Sequence, residues 1–289
     1  MFDIFLFYVP HEDQRKAARN YALMDLMRAS AERVGFTGRL VLYTHESAKL
    51  PDDLPVSEIK RVAPKNVSIK DIMLLRACAL DDFVSSPSFE RPTMSMEADQ
   101  LFQKDPTSAF DLQFDIGLTY PCWTKKISGD FGKLNGGVVY LNNKNIDAVR
   151  NYYSSYKRKL FDIKDELDYR FLRRIDGELR PVRLAEYGGD EITHMRLLPP
   201  TAFDDHQQER RTFMVGNTKV MLLESIKFNC QHAERQNDEL IIKYYPETIV
   251  RHFNSWRIVG MPQFAEEFLG LRLRPSKKTS WGTEVSSVA

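Results

Sequence analysis

The sequence predicts an α/β chain with a mostly parallel central sheet flanked by helices. Three observations lead there. The N-terminal run Phe2 to Val9 is apolar and aromatic apart from Asp3, as a strand buried on both faces would be. A helix-spaced segment, Asp13 to Val34, comes next, and a second apolar run, Leu40 to Thr44, follows it. Strand, helix, strand in that order is the repeating unit of a parallel sheet. The composition agrees with a globular chain. Of 289 residues, 43% are hydrophobic and 28% charged, which excludes a disordered chain, a collagen-like chain and a coiled coil. Length alone suggests about two domains, but α/β folds of this size are often one.

The elements follow in order. Pro10 ends the first strand, and Gly35 and Gly38 close the first helix. The Pro-Asp-Asp-Leu-Pro stretch at 51–55 is a loop, and Val56 to Val62 alternates as a third strand. Ile69, Ile72, Met73, Arg76, Ala77, Leu80 and Phe83 recur at helical steps until Ser85-Ser86-Pro87-Ser88 breaks the pattern. Thr93 to Met96 is a short strand. Ile116–Thr119 and Val138–Leu141 are two more, the second introduced by Asn135-Gly136-Gly137 as a turn. A helix is expected from Ile146 to about Tyr156, and the mixed-charge segment after it reads as helical to Ile175. Its basic runs, Lys157-Arg158-Lys159 and Arg170 to Arg174, alternate with acids as a solvated helical face does. A short helix follows Tyr187-Gly188-Gly189-Asp190-Glu191 and stops at Pro199-Pro200. Strands are expected at Thr212–Val215, Lys219–Leu223 and Ile249–Phe253. The chain after Arg274 is rich in Ser, Thr, Lys and Gly and reads as disordered. The expected organisation is one domain over 1–274 and a tail over 275–289.

Charge and cysteine usage narrow the setting. Lysine plus arginine is 41 against 40 acids, a net charge of +1, so no electrostatic ground exists for a nucleic-acid partner. Cys78, Cys122 and Cys230 are odd in number and far apart, which fits neither a zinc knuckle nor a disulfide framework. No run reaches the roughly 20 apolar residues of a membrane span. The N-terminal run is short, carries Asp3 and lacks a basic leader, so it reads as a strand and not a signal peptide. A reducing cytoplasm is the expected location.

The chemistry concentrates at Glu97-Ala98-Asp99. Two carboxylates one residue apart share a side if the strand before them stays extended. At the carboxyl edge of a parallel sheet they face the ligand crevice. Hard oxygen ligands there suit Mg²⁺ or Mn²⁺ bridging nucleotide phosphates. A solvated acidic turn is the alternative. Downstream come Asp115-Ile116-Gly117-Leu118-Thr119, Asn135-Gly136-Gly137-Val138-Val139-Tyr140-Leu141, Tyr187-Gly188-Gly189-Asp190-Glu191 and His252-Phe253-Asn254-Ser255-Trp256-Arg257.

In this order the series resembles the GT-A-fold nucleotide-sugar-dependent glycosyltransferases of the D-x-D, retaining-like type. Glu97-Ala98-Asp99 resembles their D-x-D triplet, Asn135 to Leu141 their N-x-G-V segment, Tyr187 to Glu191 their W-G-G-D-Q segment, and His252 to Arg257 their late H-F-x-G-x-x-K segment. The resemblance covers roughly Phe2 to Gly270. The sequence departs from the pattern in Glu97 for Asp, Tyr187 for Trp, Glu191 for Gln and Ser255 for Gly, and Arg257 and Ile258 straddle the Lys.

The resemblance implies a GT-A-like single domain and a hexosyltransferase-like enzyme. It would move a sugar from a nucleotide-diphosphate sugar to a saccharide or other hydroxyl acceptor. It implies Mn²⁺ or Mg²⁺ held by Glu97, Asp99 and His252, with a histidine packed beside a strand as the alternative for the last. For the donor it implies Tyr8 at the base, Arg76 facing the nucleotide, Asn135, Gly136 and Gly137 beside the sugar, and Arg257 at the phosphates. Core packing for Tyr8, a surface cation on a helix for Arg76 and an ordinary turn at 135–137 stay open. Asp190, with Glu191, is the catalytic candidate; Asp190 could instead cap the helix that follows. An inverting or a retaining outcome is equally open.

Other chemistries lack their signatures. No Gly-x-Gly-x-x-Gly, Walker loop, His-Glu-x-x-His or Gly-x-Ser-x-Gly occurs. A sugar-nucleotide pyrophosphorylase would carry a glycine-rich signature after the first strand, where Tyr8-Val9-Pro10-His11 stands. A nucleotide- or sugar-binding module with impaired catalysis remains the main alternative.

Overall fold

The computed structural model describes residues 1–120, 134–175, 178–203, 211–231, 234–236, 239–253 and 255–272. The expected tail at 275–289, Cys122 and Asn254 lie outside them. The chain opens with β1 (Asp3–Phe7), α1 (Gln14–Arg33), β2 (Leu40–His45), β3 (Glu58–Val62), α2 (Ile72–Ser85) and β4 (Thr93–Met96). Asp13 caps α1, accepting from the backbone N–H of Arg15 at 2.9 Å and of Lys16 at 3.4 Å. Strands β3, β2, β1 and β4 lie side by side and parallel, as the strand-helix-strand order requires.

β5 (Gln100–Phe102), β6 (Ile116–Tyr120), β7 (Asn135–Leu141) and α3 (Ile146–Ile163) follow. Asn135-Gly136-Gly137 belongs to strand β7 and is not a turn before it. Strand β7 runs antiparallel between β4 and β6. The helix expected to end near Tyr156 continues to Ile163, because Tyr153, Tyr156, Leu160 and Ile163 keep burying one face.

The reading of a helix to Ile175 is wrong. β8 (Leu167–Ile175) and β9 (Glu178–Arg183) form an antiparallel hairpin there, so Arg170 to Arg174 lie on a strand. Alternating charges mimic a helical face. The contrary signals are Tyr169 and Phe171 in the run and the Asp-Gly pair at 176–177, a hairpin dipeptide. α4 (Gly189–Leu197), β10 (Arg211–Val215), β11 (Thr218–Glu224), α5 (Ser225–Phe228), β12 (Glu234–Gln236), β13 (Glu239–Ile241), β14 (Val250–His252) and α6 (Met261–Leu269) complete the order. Strand β11 joins the sheet parallel to β6 and antiparallel to β10. The eight strands run β10-β11-β6-β7-β4-β1-β2-β3, with four parallel and three antiparallel neighbours.

Strand alternation divides the core. Ile4 and Leu6 pack with Met27, Leu42, Met94 and Tyr140 on one face. Phe5 packs with Tyr43, Phe83, Val139, Tyr153 and Leu160 on the other. Helix α1 covers the first face, and α2 and α3 cover the second. Both faces are therefore dry, which explains why the central strands tolerate no charged residue beyond Asp3, whose carboxylate accepts from Arg39. Thr93 and Ser95 make β4 polar in sequence, yet all four of its residues are buried. Among the described residues, no helix is long and apolar enough to cross a membrane.

Candidate active site

The register of the sheet assembles one edge. Leu6 pairs with Met96, and Ser95 with Val139. Tyr8 and Glu97, just past the ends of β1 and β4, and Gly137, within the antiparallel β7, therefore fall together at the carboxyl edge of the parallel strands. A ligand crevice is expected there in open α/β sheets.

The chain does not stay extended through the acids. After Met96 it turns over 97–99 and re-enters as β5 in a second, two-stranded sheet with β14. Gln100 holds this turn. Its buried amide accepts from the backbone N–H of Glu97 at 3.3 Å and donates to the carbonyl of Gly137 at 2.7 Å. Gln100 also pairs across the ladder with His252, which brings the imidazole to the acids from the far end of the chain. His252 Nε2 lies 3.4 Å from Glu97 Oε2 and 3.5 Å from Asp99 Oδ1. One ligating atom from each of the three lies within 4.8 Å of the others.

This donor set fits a divalent cation. Asp99 Oδ1 and His252 Nε2 are buried without a hydrogen-bond partner. Orphaned buried polar atoms are costly and point to a missing partner. Glu97 divides its two oxygens: Oε1 accepts from Arg76 at 2.9 Å, and Oε2 faces His252. Two carboxylates and an imidazole are ligands for Mn²⁺ or, less strongly, Mg²⁺. The electrostatics agree. Burial disfavours the charged imidazole, but Asp99 and Glu97 outweigh it and raise the His252 pKa to about 9. Burial also pushes Glu97 up, but His252 and Arg76 hold its carboxyl at about 2. Two carboxylates that favour positive charge at the imidazole mark the place a cation would take.

Glycine makes the close packing possible. A Cβ on Gly137 would overlap the His252 ring and stand 2.9 Å from Gln100 Nε2. A Cβ on Gly136 would stand 2.5 Å from Asp190 Oδ2. The backbone of Gly136 is gripped at both ends: its N–H donates to Glu191 Oε1 at 3.4 Å, and its carbonyl accepts from Arg76 Nη2 at 3.1 Å.

Arg76 is no surface cation. It is buried on the inner face of α2, and its Nη1 donates to Glu97 Oε1 and, at 3.1 Å, to Asp190 Oδ2. Burial opposes its charge, but the two carboxylates prevail and raise its pKa. Asp190 does not cap its helix. The N-cap of α4 is Gly188, in the left-handed region at φ 75°, and Asp190 sits in the first turn facing Arg76. Burial raises the Asp190 pKa, Glu97 adds to this, and Arg76 opposes it.

Of the other expected residues, Asn135 adjoins this centre through Gly137, while Tyr8 and Arg257 are placed by other neighbours. Asn135 Oδ1 accepts from the N–H of Gly137 at 3.1 Å, and its carbonyl accepts from Thr119 Oγ1 at 2.9 Å. Tyr8 is part-buried; its hydroxyl accepts from Asn20 at 3.3 Å, and its ring meets Tyr21 edge-on at 5.7 Å. Arg257 is half-buried in a 3₁₀ turn near Cys230, and burial lowers its pKa. Three contributors escaped the sequence reading: Gln100, Gln231, whose amide meets His252 Nδ1 at 2.9 Å, and Tyr187 as a side chain of the cleft. The Tyr187 pKa is raised to about 12, by burial first and then by Glu97, Glu191, Asp190 and Asp99 around it. An uncharged amide next to an acid triplet is the one signal that could have flagged Gln100.

No family model and no curated protein sequence matches this chain. Solved structures do match. The galactosyltransferase LgtC, in complex with donor and acceptor sugar analogues, superposes with a TM-score of 0.51 over 95% of this chain and 98% of its own, at 12% identity. The fold is GT-A-like. A glycosyltransferase involved in glycosylation of the PBCV-1 major capsid is similar over 91% of this chain and 98% of its own, at 11% identity and a TM-score of 0.46. The glycosyltransferase GlyE of Streptococcus pneumoniae TIGR4 is similar over 88% of this chain and 55% of its own, at 13% identity and a TM-score of 0.47. In the GT-A-like fold of this chain, the acid and histidine cluster sits at the sheet edge.

Proposed function

We propose that this chain is a divalent-cation-dependent glycosyltransferase that moves a hexose-type sugar from a nucleoside-diphosphate sugar to a hydroxyl of a saccharide or other acceptor. One observation carries the reading: Glu97, Asp99 and His252 converge on one point beside a glycine strand, two of them with orphaned buried atoms. The fold shared with LgtC supports it, since LgtC is seen with both donor and acceptor sugar analogues.

In such a transfer the bond from the anomeric carbon to the diphosphate oxygen breaks. The acceptor oxygen bonds to that carbon and loses its proton. A Mn²⁺ or Mg²⁺ held by Glu97, Asp99 and His252 would supply positive charge to the diphosphate leaving group. Arg76 holds Glu97 and Asp190 in fixed places, so neither must reorganise when substrate enters. Gly136 and Gly137 let the sugar approach the backbone, with Asn135 setting the start of that strand. Asp190 and Glu191 face the same glycine and are the candidates to contact the transferred sugar. Tyr8 would stack on the base at the rim of β1, and Arg257 would pair with phosphate.

A binding module without turnover is the second reading. It draws on one observation: Arg76 already occupies Asp190, the residue expected at the sugar. Nucleoside diphosphate release from a panel of nucleotide-sugars separates the two. Release that requires Mn²⁺ and falls at least about 100-fold in Asp99→Asn is expected of the transferase. Metal-dependent donor binding with no release would favour the module. Absence of both would overturn the nucleotide-sugar reading.

A further inference from the structure

The His252 ring has two nitrogens with different neighbours. Nε2 faces the carboxylates of Glu97 and Asp99. Nδ1 lies 2.9 Å from Gln231 Nε2, the NH₂ end of that side-chain amide. The backbone fixes this second contact. Cys230 donates its N–H to the Val250 carbonyl at 2.8 Å, and His252 donates its N–H to the Cys230 carbonyl at 2.9 Å. Gln231 is thereby held alongside β14. A side-chain amide can meet Nδ1 with its NH₂ or, after a half-turn about its last bond, with its carbonyl oxygen.

The surroundings of Nε2 decide between these. A cation there needs the Nε2 lone pair, which leaves the ring proton on Nδ1. A proton on Nδ1 needs an acceptor, and a half-turn of the Gln231 amide puts its carbonyl oxygen where its Nε2 stands. We propose that Gln231 is a positioning residue: its amide oxygen accepts from Nδ1–H of His252 and holds the imidazole in the tautomer that presents Nε2 to a divalent cation. Such partners orient a ligating histidine and raise its basicity. The inference rests on the cation reading of the Glu97, Asp99 and His252 cluster.

The test measures Mn²⁺ binding to the whole chain, with no nucleotide and no turnover, by electron paramagnetic resonance. Gln231→Leu should weaken Mn²⁺ binding by about 10–100-fold and diminish the imidazole ¹⁴N modulation of bound Mn²⁺. Gln231→Glu, which keeps an acceptor, should restore both. Thermal midpoints in chelator should match wild type for both variants, since a group at the cleft wall that only fills space would change stability and not the ¹⁴N signal. Gln231→Leu with wild-type affinity and modulation, or Gln231→Glu as weak as Gln231→Leu, would overturn the positioning role while leaving the cation site standing. Wild-type chain without saturable Mn²⁺ binding would sink the cation site itself, and the role with it.

Discussion

His252 and His194 show how the same side chain takes opposite assignments from its neighbours. His252 meets two carboxylates and is driven toward a positive or cation-bound state. Replacing it by Ala should remove Mn²⁺ binding while leaving metal-free folding cooperative; unaltered Mn²⁺ titrations would return it to a packing role. His194 is buried among Tyr152, Tyr153 and Tyr156, with its Nδ1 at 2.8 Å from the Tyr152 hydroxyl and its ring 4.5 Å from that of Tyr156. Burial, with Arg76 adding to it, lowers its pKa to about 3. The unfolded chain then binds a proton below about pH 6.5 that the folded chain refuses. Stability from this residue is complete above pH 6.5 and is lost as pH falls toward 3, by about 1.4 kcal/mol per unit. Denaturation of wild type and His194→Gln across pH 4 to 7 should give converging stabilities at the acid end; parallel curves would refute the assignment. The sequence singled out His252 only through the segment it heads and was silent on His194, because the carboxylates and the tyrosines arrive from other elements.

At the element scale, strand β7 carries the site through what it lacks. Gly137 touches the His252 ring and Gly136 the Asp190 carboxylate, so the strand works as a flat wall. Gly137→Ala should cost about 1–3 kcal/mol of stability by overpacking and should weaken Mn²⁺ binding with it. A normal Mn²⁺ titration in a folded Gly137→Ala chain would show that the histidine can bind from elsewhere. In sequence these glycines read as a turn, since two glycines after an asparagine are a turn signal. Only the pairing of β7 with β4 and β6 makes them a strand. The hairpin of β8 and β9 misled in the other direction. Its charges carry a helical rhythm, while its aromatic residues and Asp-Gly pair carry the strand information. Helices α1 and α2 were legible because their apolar residues recur at helical steps, and α4 because Gly188-Gly189 and Pro199-Pro200 mark its ends.

For the whole molecule, the crevice expected of such a sheet falls where four parallel strands end beside one antiparallel strand, and β14 brings His252 there from the far end of the chain. A ligand that fills such a crevice binds only the folded state. A nucleoside diphosphate with Mn²⁺ should therefore raise the thermal midpoint by roughly 5 °C at 100 times its dissociation constant, and much less in chelator. Equal shifts with and without Mn²⁺ would separate nucleotide binding from the cation site. The sequence by itself determined the α/β class, the sheet strands in their succession along the chain and the residue types of the acid triplet, since these depend on periodicity and near neighbours. The tertiary structure decided that Arg76 points inward to Glu97 and Asp190, that Gln100 and Gln231 frame the cluster, and that His252 meets acids placed some 150 residues earlier. Those contacts span strands far apart in the chain, and hydrogen bonds and burial, not spacing, select the partners.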